Sequence, residues 1–200
     1  MILKAFSSRH DLTIENLEEN LNKTLYEEEP YTFIGGFTLH EEKTDEILAT
    51  ISGIFFDENK ILDENENIVD IADMIDEDVY KGMQALFKSK LHNEEIDNNK
   101  IFLSLFSCYI QRFYVYPKHR NKGIASYLFK NLEPIFSHCF NTPIHSLVIY
   151  PRPQQPNEKN QWENTLDKDG SMLKKMINQL KKEGYRKIGK TNYYAKNYAI

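Results

Sequence analysis

Between positions 115 and 126 the chain reads Val-Tyr-Pro-Lys-His-Arg-Asn-Lys-Gly-Ile-Ala-Ser, a composition suited to holding a phosphate or diphosphate. A strand should end just before it and an amphipathic helix should begin within it. A strand that turns directly into a helix leaves main-chain N–H groups without intrahelical partners. Those donors lie at the positive end of the helix dipole, where an anion is favoured. Main chain can close around an anion only where side chains are small, and Gly123 and Ala125 are small. Arg120 and Lys122 add positive charge at the same place.

Other reactive side chains offer less. Cys108 falls mid-strand with nothing adjacent to lower its pKa, so it reads as a core residue. The six histidines (His10, His40, His92, His119, His138 and His145) lack metal-ligand spacing, although His119 adjoins Arg120. The acidic run Asp70, Asp73, Asp76, Glu77 and Asp78 lacks the alternating order of a calcium loop, so no metal is expected. Lys174, Lys175, Lys181, Lys182, Arg186 and Lys187 form the one stretch that could meet RNA, on positions that otherwise read as a solvated helix face.

The elements that must position these groups follow from hydrophobic spacing. Ile2–Phe6 reads as an opening strand, and Asp11 or Thr13 can cap a helix carrying Ile14, Leu17 and Leu21. Tyr31–Leu39 and Ile47–Phe56 read as strands joined by the turn HEEKTDE. Residues 57–99 look inserted, with one apolar helical face through Ile68, Ile71, Ala72, Ile75, Val79, Met83, Leu86 and Phe87. Their net charge is −9, which reads as a solvated acidic face. Ile101–Tyr116 is the most strand-like stretch, since β-branched and aromatic residues dominate it. A helix from Asn121 carries Ile124, Leu128, Leu132 and Ile135, and Pro134 should bend or end it early. Ile144–Tyr150 reads as a strand, 151–168 as a Pro/Gln/Asn-rich loop, and Ser171–Lys182 as a helix stopped by Gly184. Strands at Tyr185–Ile188 and Asn192–Tyr198 close the chain. The order predicts one mixed α/β domain spanning 1–200.

Composition fits that class. Apolar residues are 40% and charged residues 28% of the 200, which excludes collagen-like, disordered and disulfide-stapled chains. No apolar run is long enough to span a bilayer, and no membrane partner is expected. The N-terminus lacks the pattern of a signal peptide, and Cys108 and Cys139 are the only cysteines, so a reducing, cytoplasmic setting is the expectation. The net charge of −5 hides an asymmetry: −16 over positions 1–99 and +11 over 100–200. That division suits a phosphate-bearing ligand on the basic part and a cationic substrate near the acidic part.

The segment Phe113–Leu128 resembles the GNAT superfamily, the Gcn5-related N-acetyltransferases, through V-x-P-x-x-R-x-x-G-x-A as it stands from Val115 to Ala125. The order of elements extends the resemblance over nearly the whole chain, with the acidic insertion and the 151–168 loop as departures. The resemblance implies a mostly antiparallel sheet of about seven strands flanked by helices, splayed between the long fourth strand and the fifth. It implies acetyl-CoA as donor, its pyrophosphate held by main-chain N–H groups of Arg120, Asn121, Lys122, Gly123, Ile124, Ala125 and Ser126. The main chain of Phe113, Tyr114 and Val115 would run beside the pantetheine arm, with an N–H near Val115 polarising the thioester carbonyl.

The resemblance also implies an N-acetyltransferase acting on a primary amine, small or on a peptide, that enters near the 151–168 loop and the insertion. The position where several relatives keep a glutamate base falls on Tyr109, a poor base at its ordinary pKa. The usual helix tyrosine and asparagine fall on Leu180 and Leu173, which leaves Tyr150, Ser171 or Tyr193–Tyr194 as replacement acids. Tyr109 and Tyr150 are thus the catalytic candidates, with catalysis by positioning alone as an alternative. A CoA-binding module without turnover and an RNA-binding protein are the rival functions, and a homodimer is compatible with the resemblance.

Overall fold

Two long, largely buried strands frame the protein: β3 (Ile47–Asp57) and β4 (Phe106–Val115). Strands covered on both faces need continuous apolar sequence, and ILATISGIFF and FSCYI supply it. The computed structural model describes residues 1–7, 31–89, 106–140, 143–157, 162–165, 167 and 169–198. The expected helix around Ile14, Leu17 and Leu21 lies outside them, as do His10, His92, positions 90–99 of the insertion and the start of the Ile101–Tyr116 strand.

β1 (Ile2–Ser7), β2 (Thr32–His40) and β3 form an antiparallel meander whose β2–β3 turn is the expected one at HEEKTDE. β4 follows beside β3, then β5 (Ile144–Ile149), and the chain ends with β8 (Arg186–Lys187) and β9 (Tyr194–Asn197). The seven-strand order is β1-β2-β3-β4-β5-β9-β8, and every neighbouring pair is antiparallel except β4 with β5. This is the mixed, mostly antiparallel sheet that the resemblance implied. Within the 151–168 stretch, read as a loop, β6 (Gln154–Pro156) and β7 (Trp162–Asn164) instead pair as a separate hairpin. Pro153 and Pro156 obscured it, because prolines ordinarily argue against strands.

One face of the sheet is covered by α4 (Ile124–Phe140) and α5 (Ser171–Lys182). α4 buries Leu128, Phe129, Leu132, Ile135, Phe136, Cys139 and Phe140. Pro134 neither ends nor shortens this helix, contrary to expectation. A mid-helix proline costs about 3 kcal/mol, whereas each large apolar side chain buried beyond it contributes about 1.5–3 kcal/mol. Ile135, Phe136 and Phe140 all follow Pro134 into the core, and the pyrrolidine ring itself is exposed. Packing wins.

The opposite face is covered by the insertion, as α1 (Glu58–Asp63), α2 (Ile68–Ile75) and α3 (Glu77–Phe87). Asp57, Asn67 and Asp76 cap these helices by accepting the main-chain N–H groups of Lys60, Val69 and Asp78. Ile61, Ile71, Val79, Met83 and Leu86 pack on Ile54, Phe56, Tyr109 and Val148 of the sheet and on Tyr193 just before β9. Among the described residues no helix is long and apolar enough to cross a membrane.

Candidate active site

The last residue pair between β4 and β5 is Ile110 with Ile149, while β4 continues to Val115 along β3. Among the described residues, 111–115 therefore pair with no strand on their β5 side, the divergence that the resemblance implied. Tyr116 N–H donates to Leu48 O on the β3 side at 3.1 Å. By alternation, Val115 and Phe113 turn their N–H and C=O groups toward the open side. The Phe113 ring stacks on Phe129 of α4 with centroids 3.8 Å apart, fixing this edge against the helix that follows.

Opposite β3 the ladder skips a residue: Ser52 faces Arg112 and Gly53 faces Ile110, so Gln111 is a bulge. A bulge leaves main-chain groups unpaired and re-aims the strand. Ser52 is buried beside it, and its hydroxyl has no hydrogen-bond partner among the described residues. The resemblance implies a polarising N–H near Val115, and the bulge adds unpaired main chain at Gln111, beside the last β4–β5 pair.

Beyond Val115 the bend is built by Arg120, Asn121, Lys122 and Gly123. Within α4 the first main-chain bond runs from Tyr127 N–H to Gly123 O, at 3.0 Å. The N–H groups of Ile124, Ala125 and Ser126 thus have no acceptor inside the helix. Gly123 has φ +79°, and a Cβ there would meet nothing within 4 Å, so the space beside the bend is open. Asn121 also adopts positive φ, +61°, which asparagine tolerates. Lys122 is exposed beside them.

The side chains of Arg120 and Ser126 are engaged within the protein. Arg120 Nε donates to Val115 O at 3.0 Å, and its guanidinium lies 5.4 Å from the Tyr114 ring centroid. It fastens the bend to the strand end and takes a carbonyl that a paired ligand would otherwise use. Ser126 Oγ donates to Glu183 Oε1 at 2.8 Å and accepts from Gln179 at 2.9 Å, tying α4 to the end of α5. His119 turns away to Glu46, Nε2 lying 3.0 Å from Oε1. Burial and then Lys122 and Lys118 hold its pKa below the usual histidine range.

On the insertion side the sheet presents Tyr109, Tyr193 and, just past β5, Tyr150. Tyr109 is only 3% exposed. α3 passes so close that a Cβ on Gly82 would stand 2.7 Å from Tyr109 Cε2, and only glycine allows this approach. Burial, with Tyr193 and Asp78 nearby, pushes the Tyr109 hydroxyl well above the ordinary tyrosine pKa. Its ring is packed as part of the wall between α3 and the sheet. Tyr150 is half-buried, 5.3 Å from Tyr193 between ring centroids, with Arg152 against its face. Tyr193 Oη donates to the Asp78 carbonyl at 3.1 Å, and burial pushes its pKa up to about 12. Asp78 is paired with Arg152 at 2.6 Å. Tyr194 instead enters the core under α4. Beyond the bulge, Trp162 of the β6–β7 hairpin lies edge-on to Tyr114, at 5.3 Å, and 5.4 Å from the Arg112 guanidinium.

Glu58 was hidden in the sequence among the acidic residues assigned to a solvated face. It is only 8% exposed, and its carboxylate accepts the Ser107 hydroxyl of β4. Burial raises its pKa to about 7 against the opposing effect of that hydrogen bond. Its position directly after an apolar strand was the available signal. Cys108 is wholly buried, with its thiol pKa pushed up by burial, and Cys139 is raised to about 11 for the same reason. Among the described residues no group of His, Cys, Asp and Glu side chains could hold a metal ion.

No protein-family model matches the chain, and no curated protein matches it. Among solved structures, the crystal structure of Arabidopsis thaliana NAA60 in complex with acetyl-CoA is similar at 10% sequence identity, over 100% of this chain and 99% of that one, with a TM-score of 0.43. A likeness this distant adds nothing to what the residues themselves support.

Proposed function

We propose that the protein is an acetyl-CoA-dependent N-acetyltransferase of GNAT type acting on a primary amine. The observation that carries this reading is an edge of β4, unpaired among the described residues, followed after a short 3-10 turn at Pro117–His119 and the bend by a helix start whose N–H groups have no intrahelical acceptor. An extended ligand arm can add to such an edge as a strand would, through main-chain hydrogen bonds. Phe113 offers both its N–H and its C=O, and Val115 its N–H, since Arg120 occupies its carbonyl. A diphosphate at the end of that arm meets the N–H groups of Gly123, Ile124, Ala125 and Ser126, with Lys122 beside it. The open space at Gly123 admits it.

At the other end of the edge, the bulge at Gln111 supplies unpaired main chain to a thioester carbonyl, in the manner of an oxyanion hole. In the transfer, the neutral amine nitrogen bonds to the acetyl carbon as the carbon–sulfur bond breaks. The nitrogen's extra proton leaves to solvent in the open groove, and the departing thiolate takes a proton that we assign to Tyr150, which solvent then restores. Tyr109 shapes the wall and transfers no proton. With no carboxylate or histidine of the described residues at the divergence, most of the rate comes from orienting the two reactants.

The test mixes the protein with acetyl-CoA and a panel of amines and follows free thiol between neutral and mildly alkaline pH. Amine-dependent thiol release, reduced in Tyr150→Phe, is the expected result. Saturable CoA binding with no release for any amine would replace the enzyme with a binding module.

A further inference from the structure

The insertion carries a strongly acidic sequence, yet the wall it turns toward the tyrosines is basic. A groove of about 950 Å3 runs between α3 and the β8–β9 turn, with Tyr150 and Tyr193 among its lining residues. Asp70, Asp73, Asp76 and Glu77 are exposed and are not among the residues lining it. The carboxylate that does line the groove, Asp78, is neutralised by Arg152 at 2.6 Å. Facing the space are Lys88 from the end of α3 and Arg186 and Lys187 from β8. All three are exposed, and none has a carboxylate partner among the described residues. Lys81, also on the wall, is paired with Glu77.

The groove also adjoins the divergence of β4 and β5. Tyr193 stands 6.4 Å from Tyr109 between ring centroids, and Tyr109 pairs with Val148, one position before the last β4–β5 pair. An amine reaching the thioester from this side places the rest of its molecule against Lys88, Arg186 and Lys187. Three cations with no carboxylate partner among the described residues, set around one concave surface, concentrate anions and repel cations. We infer that the acceptor is an amine whose neighbouring groups are anionic, carboxylates or phosphates, and that Lys88, Arg186 and Lys187 select it. This rests on the acetyl-transfer reading, and it reverses the expectation that the acidic insertion draws in a cationic substrate.

The experiment compares six-residue peptides that share one N-terminal residue, followed by acidic, neutral or basic residues. Free amines with and without carboxylates form a second arm, which distinguishes a small acceptor from a peptide. The expected result is a kcat/KM at least about tenfold higher for the acidic member of the favoured arm than for the basic one. That preference should shrink as salt rises and invert in the triple variant Lys88→Glu/Arg186→Glu/Lys187→Glu. Anisotropy of the labelled acidic peptide, read without acetyl-CoA, tests the groove apart from chemistry: wild-type binding lost in the triple variant supports the inference even if no amine is acetylated. Equal use of acidic and basic acceptors, indifference to the triple variant, or tighter binding of an RNA oligomer of equal charge would each overturn it.

Discussion

Replacing Gly123 by valine should abolish the rise in melting temperature that CoA gives the wild-type protein, while the protein still folds. A ligand present at a hundred times its Kd stabilises a native state by about 2.7 kcal/mol. For a chain of this length that is roughly 5–10 °C. Gly123 holds φ +79° beside open space. A β-branched residue there is strained in the left-handed region and places two methyl groups where the diphosphate would lie. Gly170→Val is the control. Gly170 has φ +66°, with nothing within 4 Å of its would-be Cβ, but it precedes α5, away from the bend. Both variants should melt lower than wild type. Only Gly170→Val should retain the CoA-dependent shift, and a full shift in Gly123→Val would remove the bend from the ligand site.

The second large effect is on stability against pH. Glu58 in the folded protein binds its proton more tightly than a glutamate in the unfolded chain, with a pKa of about 7 against 4.5. Its contribution is therefore whole below pH 4.5 and is lost as pH rises through about 7. The full span corresponds to about 3 kcal/mol. Glu58→Gln keeps an acceptor for the Ser107 hydroxyl and removes the titration. The variant should match wild type near pH 4.5, exceed it by roughly 6–10 °C in Tm at pH 8, and show a flatter profile between. Parallel profiles for the two proteins would mean that Glu58 does not titrate in this window. The effect bears on function because Glu58 opens α1, and its carboxylate joins the insertion to β4.

Much of this architecture was legible because it rests on local patterns. The apolar, β-branched and aromatic runs in Thr32–His40 and Ile47–Asp57, the helical spacing from Ile124 to Ile135, and the small residues at Gly123 and Ala125 each specify structure within a few positions. The misreadings have a shared physical origin, namely contacts distant in sequence. Pro134 stays helical because Phe136 and Phe140 reach a core laid down by β2, β3 and β4. The tight packing of Tyr109 is equally distant in origin, since it depends on Gly82, on a helix inserted before its strand, letting α3 press against it. The bulge at Gln111 depends on the β3 partner, and a run of apolar letters carries no mark of it. Likewise, the basic wall of the groove joins Lys88 to Arg186 and Lys187 across the fold, so neither half's net charge foretold it.

Hydrogen exchange of main-chain amides, with and without acetyl-CoA, tests the central proposal at the atoms it names. Exchange should slow at Phe113 and Val115 on the β4 edge and at Gly123, Ile124, Ala125 and Ser126 in the bend, while the exposed face of α2 is unchanged. Protection that leaves 113–126 untouched, or that appears only elsewhere in the protein, would contradict it.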